Sequence, residues 1–396
     1  MILAPTTEAE VSDAIRDAGA SRTPLSIEGG GTQAGLGRPA QTGRTLSLAE
    51  LTGVTLYEPG ELTLSARAGT PLAVIEAMLD AQGQMLTFEP CDTTGLYGPQ
   101  DASGIGAPTI GGVVARNASG PRRVSHGAAR DSLIGVRLVN GSGEAIKSGG
   151  RVMKNVTGLD LVKLNCGAHG TLGALTEVTF KVLPRPPAQA TLVLHGLDDR
   201  AAIAALSKAL CSPYEVSGAA HLPAGIGASE ARTLVRIENF PESVSYRGAA
   251  LRDLLGAGDA MEDGAGRALW RDVGRVAAFA HPDADALWRV STAPSRAPDL
   301  VARVAQNRAV RHFYDWGGGL VWIATADGGD AGAGAIRAAT ATLGGHATLV
   351  RASVETRARV DVFEPLAEPL MRLTRGVKAA FDPHGLLNPG RMYPGV

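Results

Sequence analysis

The 396-residue sequence predicts an α+β protein, and three observations predict it. A capped amphipathic helix near the start is followed by short strands with turn signals between them. The prolines Pro184, Pro186 and Pro187 then break the pattern as a linker would. Beyond them, strands and helices alternate to about residue 350, as in a sheet with helices on one face.

Each element has its own signal. Thr7 and Glu10 form a capping box, Val11, Ala14, Ile15 and Ala18 follow at helical spacing, and Gly19 fits the position after the helix end. Residues 24–28 read as a strand running into glycines. Residues 44–51, 54–58 and 62–68 read as strands. Pro71 opens a helix over 71–82 that Gly83 closes. Residues 84–130 are loop-rich. Residues 133–139 form a strand, a turn follows at Asn140–Gly143, and 171–183 is strand-rich. After the prolines, strands are expected near 190–195, 216–221, 232–238, 287–292 and 319–324. Helices are expected near 198–210, 242–255, 298–308 and 331–343, with a last one over 364–381 ended by Asp382-Pro383.

Composition excludes several classes. The chain has 38 basic and 39 acidic side chains, so its net charge of -1 gives no pull toward nucleic acid or an anionic membrane. At 44% hydrophobic and 19% charged residues it is not a disordered chain. Three cysteines, Cys91, Cys166 and Cys211, form no CxxC and fall short of the four thiolates of an ordinary iron–sulfur cluster. They suit a reducing compartment, with Cys166 a buried small hydrophobe in a strand-like stretch. The opening MILAPTTEAEV has no signal-peptide pattern, and no apolar run approaches the ~18 residues of a membrane span. Membrane contact is therefore expected only through a partner. Glycine is the outlier: 51 residues, with five between 29 and 37 and six between 104 and 127.

Those clusters are where chemistry is expected. Gly29-Gly30-Gly31-Thr32-Gln33-Ala34-Gly35-Leu36-Gly37 can turn successive N–H groups into one concavity, a nest for pyrophosphate. No Gly-Lys-Ser/Thr follows, so it is not a Walker loop, and no helix follows, so it is not a Rossmann fingerprint. Taken alone, a flexible glycine hairpin explains it equally well. Thr109-Ile110-Gly111-Gly112-Val113 offers backbone that can lie flat against a ring or a phosphate. Arg116, Arg122, Arg123 and Arg130 follow with no carboxylate before Asp131; as a cluster they suggest an anion site, singly they read as solvated surface. Two further stretches, Val152–Leu161 continuing through Gly167, His169 and Gly170 to Val178, and Phe381–Arg391, read on their own as a glycine-punctuated strand region and a helix stop.

The order GGGTQ, TIGGVVA…SGPRR…GAARDSLIGV, MKN-TG-D-KL…G-HGTLGALTEVTF and FDPHGLLNPGR resembles the vanillyl-alcohol-oxidase, PCMH-type FAD-binding family. Within it the sequence is most similar to the FAD-binding E subunits of bacterial glycolate oxidases (glycolate dehydrogenases). The resemblance covers 1–185 and 350–396 strongly and the middle mainly by its α+β pattern. It implies an FAD-binding domain of two α+β subdomains at 1–185, an α+β cap domain at 186–350, and a C-terminal segment, 351–396, returning to the FAD domain. It places Gly29, Gly30, Gly31, Thr32, Gln33 and Gly35 around the pyrophosphate. Thr109, Gly111, Gly112, Ser119 and Gly120 would run beside the pyrophosphate, ribityl chain and flavin, and Gly127, Glu177 and Val178 near adenine and ribose. Asn388 and Arg391 would reach the flavin end from the tail.

Departures from the family matter equally. Ser26–Gly37 holds no histidine, so FAD is expected to be non-covalent. The H-x-G-D-G-N-x-H metal motif and G-E-H-G segment of the catalytic 2-hydroxyacid subunits are missing, and His221, His281, His312, His346 and His384 have no ligand-like spacing. No metal site is expected, and no catalytic base is identified. His384 reads as structural, and His126 and His169 only adjoin flavin segments. Asp315-Trp316-Gly317-Gly318-Gly319 is either a wall over the flavin ring or a tryptophan packed in a turn.

The resemblance implies the FAD-binding subunit of a glycolate-oxidising complex that converts glycolate, or a similar small 2-hydroxyacid, to glyoxylate. Its expected partners are a paralogous FAD-containing catalytic subunit and an iron–sulfur subunit. Its expected location is the cytoplasm, peripheral on the inner face of the plasma membrane through those partners. Alternatives are a flavin relay or structural subunit without turnover, an independent FAD oxidase of an alcohol or sugar, and a nucleotide-phosphate enzyme using the first glycine loop.

Overall fold

The computed structural model describes residues 1–97, 106–150, 158–280 and 285–396. Of the features above, Gly104, the stretch Val152–Thr157 and His281 lie outside the described residues.

The N-terminal unit has two small layers. β1 (Ile2–Leu3), α1 (Glu8–Ser21), β2 (Leu25–Glu28) and β3 (Arg44–Ser47) make the first, with a parallel sheet in the order β1-β3-β2. Thr7 caps α1 as expected: its Oγ1 accepts from Glu10 N at 3.2 Å, and Glu10 Oε2 accepts from Thr7 N at 3.3 Å. The helix does not stop at Gly19. That glycine stays in the helix, packed toward the Leu386 side chain, and Arg22 takes the left-handed cap at φ 49. Val11, Ile15 and Ala18 pack on Leu25 and Leu46.

β4 (Val54–Glu58), β5 (Thr63–Arg67), α2 (Leu72–Asp80), β6 (Gln84–Met85), α3 (Ile110–Arg116), α4 (Arg123–His126), α5 (Ala129–Ser132), β7 (Leu133–Val139), β8 (Ala145–Gly149), α6 (Leu161–Asn165), β9 (Ala174–Lys181) and β10 (Leu183–Pro184) complete the unit. Five of these strands form an antiparallel sheet, β4-β5-β9-β7-β8, whose core takes Ile75 of α2 and Val113 of α3 against Val178 and Phe180. Pro71 precedes α2 as its cap rather than its first residue. The stretch 84–130, read as loop, contains α3, α4 and part of α5, pieces too short and too glycine-rich to announce themselves by periodicity. Cys166 is buried, but it ends α6 instead of lying in a strand.

The second unit follows Pro187. Its elements are β11 (Ala188–His195), α7 (Asp199–Leu210), β12 (Val216–Leu222), β13 (Arg232–Asn239), α8 (Pro241–Leu255), β14 (Asp259–Met261), α9 (Asp263–Arg275), β15 (Asp285–Ser291), α10 (Ala297–Ala305), β16 (Arg311–Asp315), β17 (Leu320–Ala326), α11 (Ala333–Leu343) and β18 (His346–Arg351). The eight strands form one antiparallel sheet, β14-β11-β13-β12-β16-β17-β15-β18. Its outer face, with Trp288 and Val290, packs on α7, α8, α10 and α11. Its inner face, with Phe313 and Trp322, packs with Leu96 of the N-terminal unit and with Trp270 of α9. Helices therefore lie on both faces, not one. The sequence reading lacks α9, β14, β16 and β18: α9 shows only Leu269, Trp270 and Val273 as large apolar residues among charges and glycines.

After β18 the chain runs through α12 (Val354–Arg359) and α13 (Glu368–Phe381) back to the first layer. Leu25 N donates to Leu386 O at 2.8 Å and Asn388 N to Leu25 O at 2.9 Å, so the tail adds a stretch beside β2. Asp382 fixes the turn by accepting from Leu386 N and Leu387 N. Among the described residues, no helix is long and apolar enough to cross a membrane.

Candidate functional site: a glycine-lined cleft between two layers

β2 ends at Glu28, and the chain then turns through Gly29–Gly37 without forming a helix. This turn faces the start of α3 across a cleft that encloses about 920 Å³ of space including its open mouth. Gly29, Gly30, Gly31, Thr32 and Gln33 form one wall, Thr109, Gly111 and Gly112 a second, and Arg116, His169 and Arg391 close it.

The glycines have distinct causes. A Cβ on Gly30 would stand 2.0 Å from Ala107 O, and one on Gly29 2.3 Å from Thr109 Oγ1, so the two walls can meet only through glycine. Gly111 lets α3 press on β5: its N donates to Ala68 O at 2.8 Å, and a Cβ would stand 2.7 Å from that of Ala68. Gly112 differs. Its Cβ would meet only Thr109 Oγ1, at 3.3 Å, so a side chain here would enter the cleft without a backbone clash.

The polar groups point to an anion. The backbone N–H groups of Gly30, Gly31, Thr32 and Gln33 donate to no acceptor among the described residues. A run of N–H groups without partners along a turn forms an anion nest. Arg116 and Arg391 are half-buried beside it, and the Nε of each is buried without a partner. Burial lowers the pKa of both guanidiniums, which nonetheless stay cationic at neutral pH. Gln33 holds them in place: Arg116 Nη1 donates to its Oε1 at 2.9 Å, and Arg391 Nη2 to its carbonyl at 3.3 Å. Two cations and four free donors fit the doubly charged pyrophosphate of a dinucleotide. His169 sits at the far wall, and burial, with Arg391 and Arg116, drops its pKa to about 3, so the ring is neutral.

The other expected residues lie off the cleft wall. Asn388 is buried behind it, its Oδ1 accepting from Ile27 N and its Nδ2 donating to His169 O. Gly35 packs on Tyr97. Ser119 Oγ accepts from Ala129 N, and Gly120 packs under Glu89 O and gives its carbonyl to Trp316 Nε1. Gly127 ends α4 at φ 76. Val178 is core, and Glu177 stands in β9 opposite Arg67 and Arg137. Of the cleft wall, the sequence reading left Arg116 as one of four equivalent arginines and His169 as a bystander; the buried position of each depends on distant chain.

The comparisons agree with this geometry. The FAD binding domain family matches residues 1–149. Glycolate oxidase subunit GlcE of Escherichia coli (strain K12) is 37% identical over 387 residues, 97% of this chain and 95% of that protein. Glycolate oxidase subunit GlcD of Bacillus subtilis (strain 168) is 29% identical over 60% of this chain and 47% of its own length. Among solved structures, p-cresol methylhydroxylase with substrate bound superposes with a TM-score of 0.74 at 15% identity, covering 99% of this chain and 88% of that one. Fold and cleft together define an FAD-binding oxidoreductase of α+β architecture. Within that class, the chain belongs to the family of the glycolate oxidase subunit GlcE.

Proposed function

We propose that this chain is the FAD-binding subunit of a glycolate-oxidising complex, taking glycolate or a similar small 2-hydroxyacid to the 2-oxoacid. The observation that supports this most is the nest of free N–H donors flanked by Arg116 and Arg391, in a chain matched along nearly its whole length by a glycolate oxidase subunit. Residues 1–185 act as the FAD domain, 186–350 as the cap, and 351–396 as the returning segment. Gly30–Gln33 hold the pyrophosphate with backbone donors, and Gly112 leaves room for the isoalloxazine or ribityl group. Bound FAD supplies a two-electron acceptor for the hydroxyacid carbon. The glycine turn offers no histidine, so attachment is non-covalent. The partners are a paralogous FAD-containing subunit, related to the GlcD-type relative, and an iron–sulfur subunit that takes electrons onward, since three cysteines cannot ligate a cluster here. Such an assembly is cytoplasmic and reaches the membrane through its partners.

A second reading keeps FAD but assigns turnover to the partner, and the missing hydroxyacid metal motif favours it. Anaerobic glycolate separates the two readings. Bleaching of the isolated yellow chain supports a complete site here; bleaching only after partner subunits are added supports the relay. No bleaching in the assembled complex rejects glycolate oxidation.

A further inference from the structure

We propose that Arg123 and Arg289, which share the ring of Trp316 where the cap meets the FAD unit, bind a small carboxylate anion. This rests on the reading of the chain as part of a hydroxyacid-oxidising flavoprotein, and it assigns that site its anion-holding groups.

The arginine cluster of the sequence is divided by the fold. Arg122 is spent on Glu238, through Nε at 2.9 Å and Nη2 at 2.6 Å. Arg116 is spent on Gln33 and the glycine cleft. Arg130 is exposed. The Arg123 guanidinium has no hydrogen bond and no ion pair among the described residues, and unlike the exposed Arg130 it is half-buried, 4.5 Å from the Trp316 ring centroid.

A second arginine reaches the same ring from the other unit. Along β15, Ala286, Trp288 and Val290 belong to the outer core, while Leu287 belongs to the inner one. Arg289 is on the side of Leu287, in register with Trp322 of β17 and Thr348 of β18, and so faces the FAD unit. Its guanidinium lies 5.1 Å from the Trp316 centroid. It too makes no hydrogen bond or ion pair among the described residues. Burial first, then the charges of Arg123 and Arg116, lower its pKa to about 10, so it remains a cation at neutral pH. Arg116, which lines the glycine cleft, is one of the charges acting on Arg289.

Trp316 is fixed as a platform. Its Nε1 donates to Gly120 O at 3.0 Å, its N donates to Asp315 Oδ1 at 2.7 Å, and it holds φ at 53°, a strained value for a tryptophan. Asp315 makes no ion pair with either guanidinium among the described residues; its Oδ1 is taken by Trp316 N, and burial pushes its pKa up to about 7, so it supplies the pair with only part of a counter-charge. Two half-buried guanidiniums on one ring, neither of them in an ion pair, repel each other, and an anion between them relieves that repulsion. A carboxylate meets a guanidinium fork with two parallel charge-assisted bonds, and a second arginine adds charge from beside it.

The test uses FAD-loaded protein in low-chloride buffer at pH 6.5, titrated calorimetrically with oxalate, a small carboxylate the flavin does not oxidise. Wild type and the exposed control Arg130→Met are expected to bind oxalate alike. Arg289→Met is expected to weaken binding about tenfold or more while keeping full FAD content and an equal or higher Tm. Arg123→Met serves as a second variant with the same expectation. Oxalate binding unchanged in both variants, or no oxalate binding by wild type, overturns the proposal. Oxalate needs no turnover, so the outcomes separate: a complex that binds oxalate but does not oxidise glycolate loses the functional reading and keeps this site, and the reverse result does the opposite.

Discussion

Two pairs of arginines meet at the seam between the N-terminal unit and the second unit, and they differ in one respect. Arg122 and Arg236 have carboxylates; Arg123 and Arg289 have none. Arg236 lies 4.8 Å from the Trp270 ring and donates to both oxygens of Glu89, each at 2.9 Å. Arg122 holds Glu238, whose pKa burial would raise, but which the Arg122 hydrogen bond and the charges of Arg236 and Arg122 pull down to about 2. The second pair has the same ingredients, guanidinium groups over a tryptophan, without the acid. A buried charge with its partner is part of the fold's connection between units, whereas the pair without one is where the anion is proposed to bind. Arg122 and Arg123 are adjacent in sequence, so only the fold tells them apart.

The largest effect is expected on the paired side. Arg236→Met leaves Glu89 buried with Arg122 as its remaining cation, at 3.7 Å, and should cost about 3–5 kcal/mol of stability, read as a large loss of denaturation midpoint. A loss below about 1 kcal/mol would erase the contrast.

Asp315 gives the next effect. Its pKa in the folded chain is raised to about 7, first by burial and further by Glu89, against the bond from Trp316 N. The folded state thus holds a proton that the unfolded state releases near pH 4. Its contribution is fully present below that pH, fades as pH rises through 7, and is then constant. Asp315→Asn should therefore raise stability at pH 8 by about 1–3 kcal/mol relative to its effect at pH 4. Thermal melts across pH check this; a pH-independent difference would show Asp315 already ionised.

The smallest effect is expected on the unpaired side. Arg123→Met should change stability by less than about 1 kcal/mol, or raise it, because no ion pair is lost. A loss as large as that of Arg236→Met would mean that the two pairs do the same work.

Much of the N-terminal unit is legible because its signals are local. The Thr7 box, the strands around Gly53 and Gly60, and the glycine turn at 29–37 state their conformations within a few residues. The four motifs in order add the cofactor. What escapes the sequence depends on distant chain. β16 and β18 are short strands whose apolar residues bury only once β15 and β17 stand between them. The cleft's cations come from residues 116 and 391, and Gln33 unites them only in the fold. Asn388, read as a flavin contact, also ties Ile27 to His169, a use that a motif alone does not reveal. Arg289 of β15 carries no sequence signal, because a charged residue inside a strand reads as an outward-facing one.

Whether the glycine-lined cleft holds FAD is decided at Gly112, where a side chain enters the cleft and clashes with no backbone. FAD released by acid should be about one per chain in wild type and nearly absent in Gly112→Leu, with unchanged far-UV circular dichroism. Full FAD content in Gly112→Leu would contradict the placement of the cofactor, and a wild-type protein that neither carries nor takes up FAD would contradict the account as a whole.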